Sequence, residues 1–142
     1  MSSDYRYEIK FVLDNAGLAD AMQWLYTNTT ANKSYNNRMV NSIYFDDVNF
    51  SSVRDNLAGI AQRNKLRLRW YGNQKNSLPI FEVKTKNGRL GKKIAYSINS
   101  INNNIMELNL DKITSCCIKD LAIHDIILDD HIVPTLQVGY ER

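Results

Sequence analysis

A chain of 142 residues, 44% of them hydrophobic, carries enough apolar material for a buried core, and residues 1–142 read as one domain. A formal net charge of +3 and only two Trp exclude a general nucleic-acid binder that works by broad attraction and base stacking. The start lacks the apolar run of a signal peptide, no window approaches a membrane span, and Cys116 and Cys117 are adjacent, a poor geometry for a mutual disulfide. A cytoplasmic protein, or one on the cytosolic face of a membrane complex, is expected.

The first strand is expected over Tyr5 to Leu13, with Arg6, Glu8 and Lys10 on one face and Tyr7, Ile9 and Phe11 on the other. Asp14 or Asn15 then caps a helix to about Thr27, striped by Leu18, Met22 and Leu25. Asn28 to Asn37 is a polar loop, and Met39 to Phe45 returns to strand. Asp46, Asp47 and Asn49 form a turn that caps a short helix from Phe50 to Leu57, which Gly59 stops. A strand over Ala61 to Tyr71 follows, then a turn over Gly72 to Ser77. Pro79 sits at the entry of a strand over Ile80 to Lys86, and Asn87-Gly88 turns the chain into another over Lys92 to Ile98. Asn99 to Asn104 is a loop, and Ile105 to Ile127 reads as helix. Asp129 to His131 turn into a last strand, Thr135 to Arg142, with Leu136, Val138 and Tyr140 on one face.

The strand over Ala61 to Tyr71 is the most telling. Arg63, Lys65, Arg67 and Arg69 recur at every second position, opposite Leu66, Leu68 and Trp70. Like charges along one face repel, and folding alone does not call for them; a bound polyanion does. The strand over Ile80 to Lys86 repeats the device with Glu82, Lys84 and Lys86. With the first strand, three charged faces are expected to converge in an α+β fold, an antiparallel β-barrel with a charged lumen and flanking helices. About six strands are legible, whereas the smallest filled barrels use roughly eight. The chain is therefore expected to be the N-terminal part of a barrel, truncated on its C-terminal side. A second chain or a C-terminal segment would complete it.

Neither His124 nor His131 has metal-ligand partners at useful spacing, and no P-loop, dinucleotide fingerprint or serine elbow is present. No catalytic residue is assigned. What remains is phosphate chemistry by convergent cations, since arginine suits bidentate phosphate contacts and lysine supplies point charge. Glu8 and Glu82 keep two readings open at this point, ligands of Mn2+ or Mg2+ or ion-pair partners of neighbouring lysines.

Four segments carry a resemblance. Tyr5 to Phe11 resembles the opening strand of VTC-domain proteins, and Asn41 to Asp47 their second strand and turn. Arg63 to Gly72 is similar to their most diagnostic segment, followed by Phe81 to Lys84. The resemblance spans nearly the whole chain and implies the triphosphate tunnel metalloenzyme (CYTH-like) fold, a barrel whose basic lumen takes ATP, tripolyphosphate or inorganic polyphosphate. It implies transfer of the ATP γ-phosphate to a growing polyphosphate chain with a divalent metal. A non-catalytic binding module and a triphosphate hydrolase remain as alternatives. On the matching positions, Lys10, Arg67, Arg69, Lys84 and Arg142 are implied phosphate ligands, with either Lys92 or Lys93. Lys65 and Lys86, on the charged faces, join this set.

Two features depart from the pattern. Arg6 replaces the first carboxylate of a Glu-x-Glu-x-Lys opening, and the chain ends where further strands are expected. Alternation puts Arg142 on the face of Leu136 and Val138, so a bulge at Gly139 would be needed to aim it into the lumen. Arg67→Ala and Arg69→Ala are both expected to weaken phosphate binding and leave the fold intact.

Overall fold

The computed structural model describes residues 11–72, 78–88, 90–101, 104–128 and 131–142. Its contacts fall into two units, 2–37 and 38–142.

In the first unit, helix α1 (Asn15–Asn28) begins where the sequence places a cap. Asp14 Oδ1 accepts from the Gly17 amide at 2.7 Å, satisfying one of the orphan donors of the first turn. No residue of α1 is buried. The expected first strand falls mostly on residues 5–10, outside the described residues; Phe11, Val12 and Leu13 form no strand.

The second unit is a sheet of five antiparallel strands: β1 (Met39–Asp47), β2 (Gln62–Tyr71), β3 (Ile80–Asn87), β4 (Leu90–Ser97) and β5 (Ile132–Glu141). Their order is β4-β3-β2-β1-β5. Helix α2 (Ser51–Leu57) links β1 to β2, and α3 (Leu110–Ala122) precedes β5. This corrects the expected barrel. Among the described residues the sheet is open, with β4 and β5 as its two edges. Adjacent strands turn by only about 20–25° relative to one another, and five do not come round to meet where roughly eight are needed.

One face of the sheet makes the core. Cross-strand register aligns Ile43 with Leu68, Phe45 with Leu66, Leu68 with Phe81, and Phe81 with Tyr96. Ile43, Phe45, Leu68, Trp70 and Phe81 cluster with Ile105, Ile113, Cys116, Cys117 and Leu121. Phe45 and Phe81 meet in a tilted ring contact at 5.5 Å between centroids. Leu68 sits at the centre of this cluster and is fully buried. Leu68→Ala is expected to cost about 2–5 kcal/mol, because truncation loses apolar burial and leaves a cavity. A thermal melt reads the loss.

The helices follow local capping chemistry. Asp46 and Asp47 both cap α2: Asp46 Oδ1 accepts from Ser52 N at 3.0 Å, Asp46 Oδ2 from Val53 N at 3.1 Å, and Asp47 Oδ1 from Ser51 N at 3.0 Å. Gly59 follows the helix at φ +69°, a conformation that costs glycine little. Helix α3 is shorter than the expected run from Ile105 to Ile127. Asn109 Oδ1 accepts from Lys112 N at 2.8 Å and starts the helix late, after a short 3-10 turn at Ile105–Glu107. Asp125, at φ +57°, lies beyond its end. Asp120 in α3 is buried and takes the Ser100 amide at 2.8 Å and the Ser100 hydroxyl. Burial pushes the Cys117 thiol up to about 12, which keeps it protonated. No helix among the described residues is long and apolar enough to cross a membrane.

Candidate anion-binding face

The pleat that turns the core residues to α3 turns every second residue to the opposite face. Register then decides which of these meet. Arg67 stands opposite Tyr44 on β1 and Glu82 on β3, and Arg69 opposite Ser42 and Ile80. Arg63 stands opposite Lys86, and Lys65 opposite Lys84, which in turn stands opposite Lys93 on β4. Lys65, Lys84 and Lys93 thus lie abreast on three adjacent strands. Like charges directly opposite in a sheet destabilise it. Among the described residues neither Lys65 nor Lys84 has a carboxylate within ion-pairing distance, while Lys93 reaches Glu82.

The structure brings together Arg67, Arg69, Lys84, Lys93, Lys65 and Lys86 of the expected phosphate ligands, with Arg63 beside them. Lys92 is excluded from the group, since it stands opposite Thr85 and lies on the other face. Lys93 is the member of the pair on the cationic face. Lys10 and Glu8 lie outside the described residues. Arg142 exchanges both backbone hydrogen bonds with Arg38, at 2.8 and 3.0 Å. Tyr140 stands opposite Val40, and Val138 opposite Ser42, so alternation places Arg142 on the cationic face. No bulge at Gly139 is needed. The register shift in this ladder falls between Tyr44 and Phe45, and Leu136 and Val138 themselves belong to the cationic side. Leu136 is 57% exposed there, and neither it nor Val138 nor Tyr140 belongs to the core cluster.

Glu82 anchors the middle of the face. It is only 6% exposed, and its Oε2 accepts from Arg67 through Nε, at 2.8 Å, and through Nη2. Its Oε1 accepts from Lys93 Nζ at 3.3 Å. Arg67 Nη1 also donates to the Tyr44 hydroxyl at 3.4 Å, and the guanidinium carbon lies 5.8 Å from the Tyr44 ring centroid. Burial works against the Glu82 charge, but the Arg67 hydrogen bonds and the fields of Arg67, Arg69 and Lys93 outweigh it and hold the carboxyl below its usual range. Burial likewise opposes the Arg67 charge, and its bonds to Glu82 and Tyr44 override that and raise it. Tyr44 was missed by sequence reasoning; its place at an alternate position of β1 is the one signal that could have found it. Arg38, whose guanidinium carbon sits 3.9 Å over the Tyr71 ring, was also missed.

Ser42 Oγ and Arg69 Nε on this face are buried without a hydrogen-bond partner among the described residues. At the other end, Asn56 of α2 joins Arg63, Asn64, Lys65, Lys84 and Lys86 around a cleft of about 130 Å³.

The expected metal site at Glu82 does not fit. Both carboxylate oxygens are taken by cationic donors, with Arg69 close enough to add a third positive field. A divalent ion there would meet net repulsion. Among the described residues no group of three or more His, Cys, Asp or Glu is placed to hold a metal. Glu82 is ion-paired with Arg67 on β2 and Lys93 on β4.

A family model of the VTC domain matches residues 5–142. The chain belongs to the VTC domain family. The match covers the cationic strand β2, its partners β1 and β3, and the outer strands β4 and β5 of the described sheet. VTC domains are associated with polyphosphate polymerases, and phosphate or nucleotide ligands are typical of them. Comparison with curated proteins finds no match.

Acid stability follows from two of the buried carboxylates of this VTC domain, Asp120 and Glu82. Burial opposes the Asp120 charge, but the Ser100 hydroxyl and amide hold its folded pKa below the ordinary value, as the cations do for Glu82. A depressed folded pKa contributes stability that is present above the unfolded value, about 4 for carboxylates, and is lost as pH falls through the folded value. Melting temperature is therefore expected to change little from neutral pH to about 5 and to fall below about 4. A series of melts between pH 7 and 3 checks it, and Asp120→Asn is expected to flatten part of the fall.

Proposed function

We propose that the cationic face of this VTC domain binds linear triphosphate or polyphosphate, and that it supplies the phosphate-holding cations for transfer of the ATP γ-phosphate to a growing chain. The observation that carries this reading is the row of Lys65, Lys84 and Lys93 abreast on three strands, flanked by Arg67 and Arg69. A strand array with lysines directly opposite each other stores repulsion that a polyanion relieves. Phosphoryl transfer asks the protein mainly to position phosphates and neutralise charge, which is what convergent Arg and Lys do.

In this reading Arg67 is held with its plane fixed by Glu82 and Tyr44. Arg69, Lys84 and Lys65 extend the contact along the chain of phosphates. The cleft beside Asn56 takes the continuation of the same anion. Because the described carboxylate does not suit a resident metal, any manganese or magnesium would enter with the phosphates it neutralises.

Calorimetric titration of tripolyphosphate, without metal and then with manganese, tests the binding. Incubation with ATP and manganese separates the outcomes of turnover: polymer supports a polymerase, and orthophosphate alone supports a hydrolase. Binding with neither product leaves a binding module. Absence of tripolyphosphate binding would overturn the reading.

A further inference from the structure

We propose that Glu82 is the resident counter-anion of the cationic face and makes it selective for chains of phosphates over single small anions. The assignment rests on the anion-binding reading above and adds a residue that sets its specificity. Glu82 is the one carboxylate among the described residues that ion-pairs with the cations of this face, which carries Arg63, Lys65, Arg67, Arg69, Lys84, Lys86 and Lys93. It is nearly buried and occupies the place between Arg67 and Lys93 that a single anion would take. Opposite it on β4 stands Ala95, whose small side chain leaves room for Lys93 to reach across.

The consequence is a competition. A lone sulfate or orthophosphate gains most from the paired donors of Arg67 and Lys93, and those donors already hold a carboxylate. Binding there means sharing two cations with a fixed negative charge, so affinity is low. A linear polyphosphate overlaps the same place but also reaches Lys65 and Lys84, which have no carboxylate within ion-pairing distance among the described residues. Those added contacts compensate a chain for the repulsion from Glu82 and leave a single ion uncompensated.

The test is Glu82→Gln. The amide is the same size, and its oxygen still accepts from Arg67, while the charge is gone. Sulfate affinity is expected to rise about tenfold, because a like charge next to the bound anion is removed. Tripolyphosphate affinity is expected to rise by a smaller factor, so the preference for chain over single anion narrows. Sulfate also stabilises proteins by exclusion from their surface, so the wild type is melted alongside at each concentration. If the variant is too unstable to titrate, sulfate should restore its melting temperature by more than it raises that of the wild type.

Unchanged or weaker sulfate binding in Glu82→Gln, or no excess rescue, would overturn the assignment. So would a defect that appears only with manganese, since that is the signature of a metal ligand. The two failures are distinguishable: a wild type that binds no tripolyphosphate removes the function proposed above and the selectivity with it, whereas a wild type that binds it, with sulfate affinity unchanged in Glu82→Gln, removes the role of Glu82 alone.

Discussion

Arg67→Ala is expected to lower thermal stability and tripolyphosphate affinity together. The substitution leaves the Glu82 carboxylate, 6% exposed, with Lys93 as its one remaining ion-pair partner among the described residues. Stripping one partner from a fully buried ion pair costs about 3–5 kcal/mol. The Arg67 side chain is 22% exposed, so water offsets part of that loss and about 1–3 kcal/mol is the expected cost. Phosphate affinity should fall about ten- to a hundredfold from the lost charge-assisted contact. This revises the expectation that both arginines behave alike. The sequence shows Arg67 and Arg69 as equivalent members of one alternating row, and only the register with β3 makes one of them an ion-pair partner.

Lys84→Ala and Arg69→Ala are expected to do the opposite to stability. Lys84 is exposed and stands between Lys65 and Lys93, so its removal relieves repulsion on two sides. Arg69 has a buried Nε with no partner among the described residues, so truncation removes an unmet donor. Melting temperatures should stay level or rise slightly in both variants. Tripolyphosphate affinity should fall about ten- to a hundredfold in each, since a charge-assisted phosphate contact contributes on the order of 1.5–3 kcal/mol. A stability gain paired with a binding loss separates a ligand-holding cation from a structural one.

The parts of this fold that were legible in the sequence are those set by near neighbours along the chain. The period of two in Arg63 to Tyr71 gave β2 and its two faces. Asp14 gave the start of α1, Asp46 and Asp47 the cap of α2, and Asn87-Gly88 the hairpin between β3 and β4. Long-range register was not legible. Nothing in Lys92-Lys93 says which lysine faces the cations, because that depends on how β4 pairs with β3. The two readings of Glu82 stayed open for the same reason, since an ion pair across strands requires knowing that Arg67 stands opposite. Leu136, Val138 and Tyr140 look like a core face by alternation, yet pairing with β1 turns them to the side of Arg67 and Arg69. Closure into a barrel is a property of strand number and twist summed over the sheet, and five strands leave it open.

The cationic face as a phosphate site is tested most directly by calorimetric titration of tripolyphosphate into the wild type and Lys84→Ala, with thermal melts of both. Saturable binding in the wild type, weakened about ten- to a hundredfold in the variant at equal or higher melting temperature, is the result predicted here. Equal affinity in the two proteins, with a lower melting temperature in Lys84→Ala, would mean that the row of lysines supports the sheet and binds no phosphate.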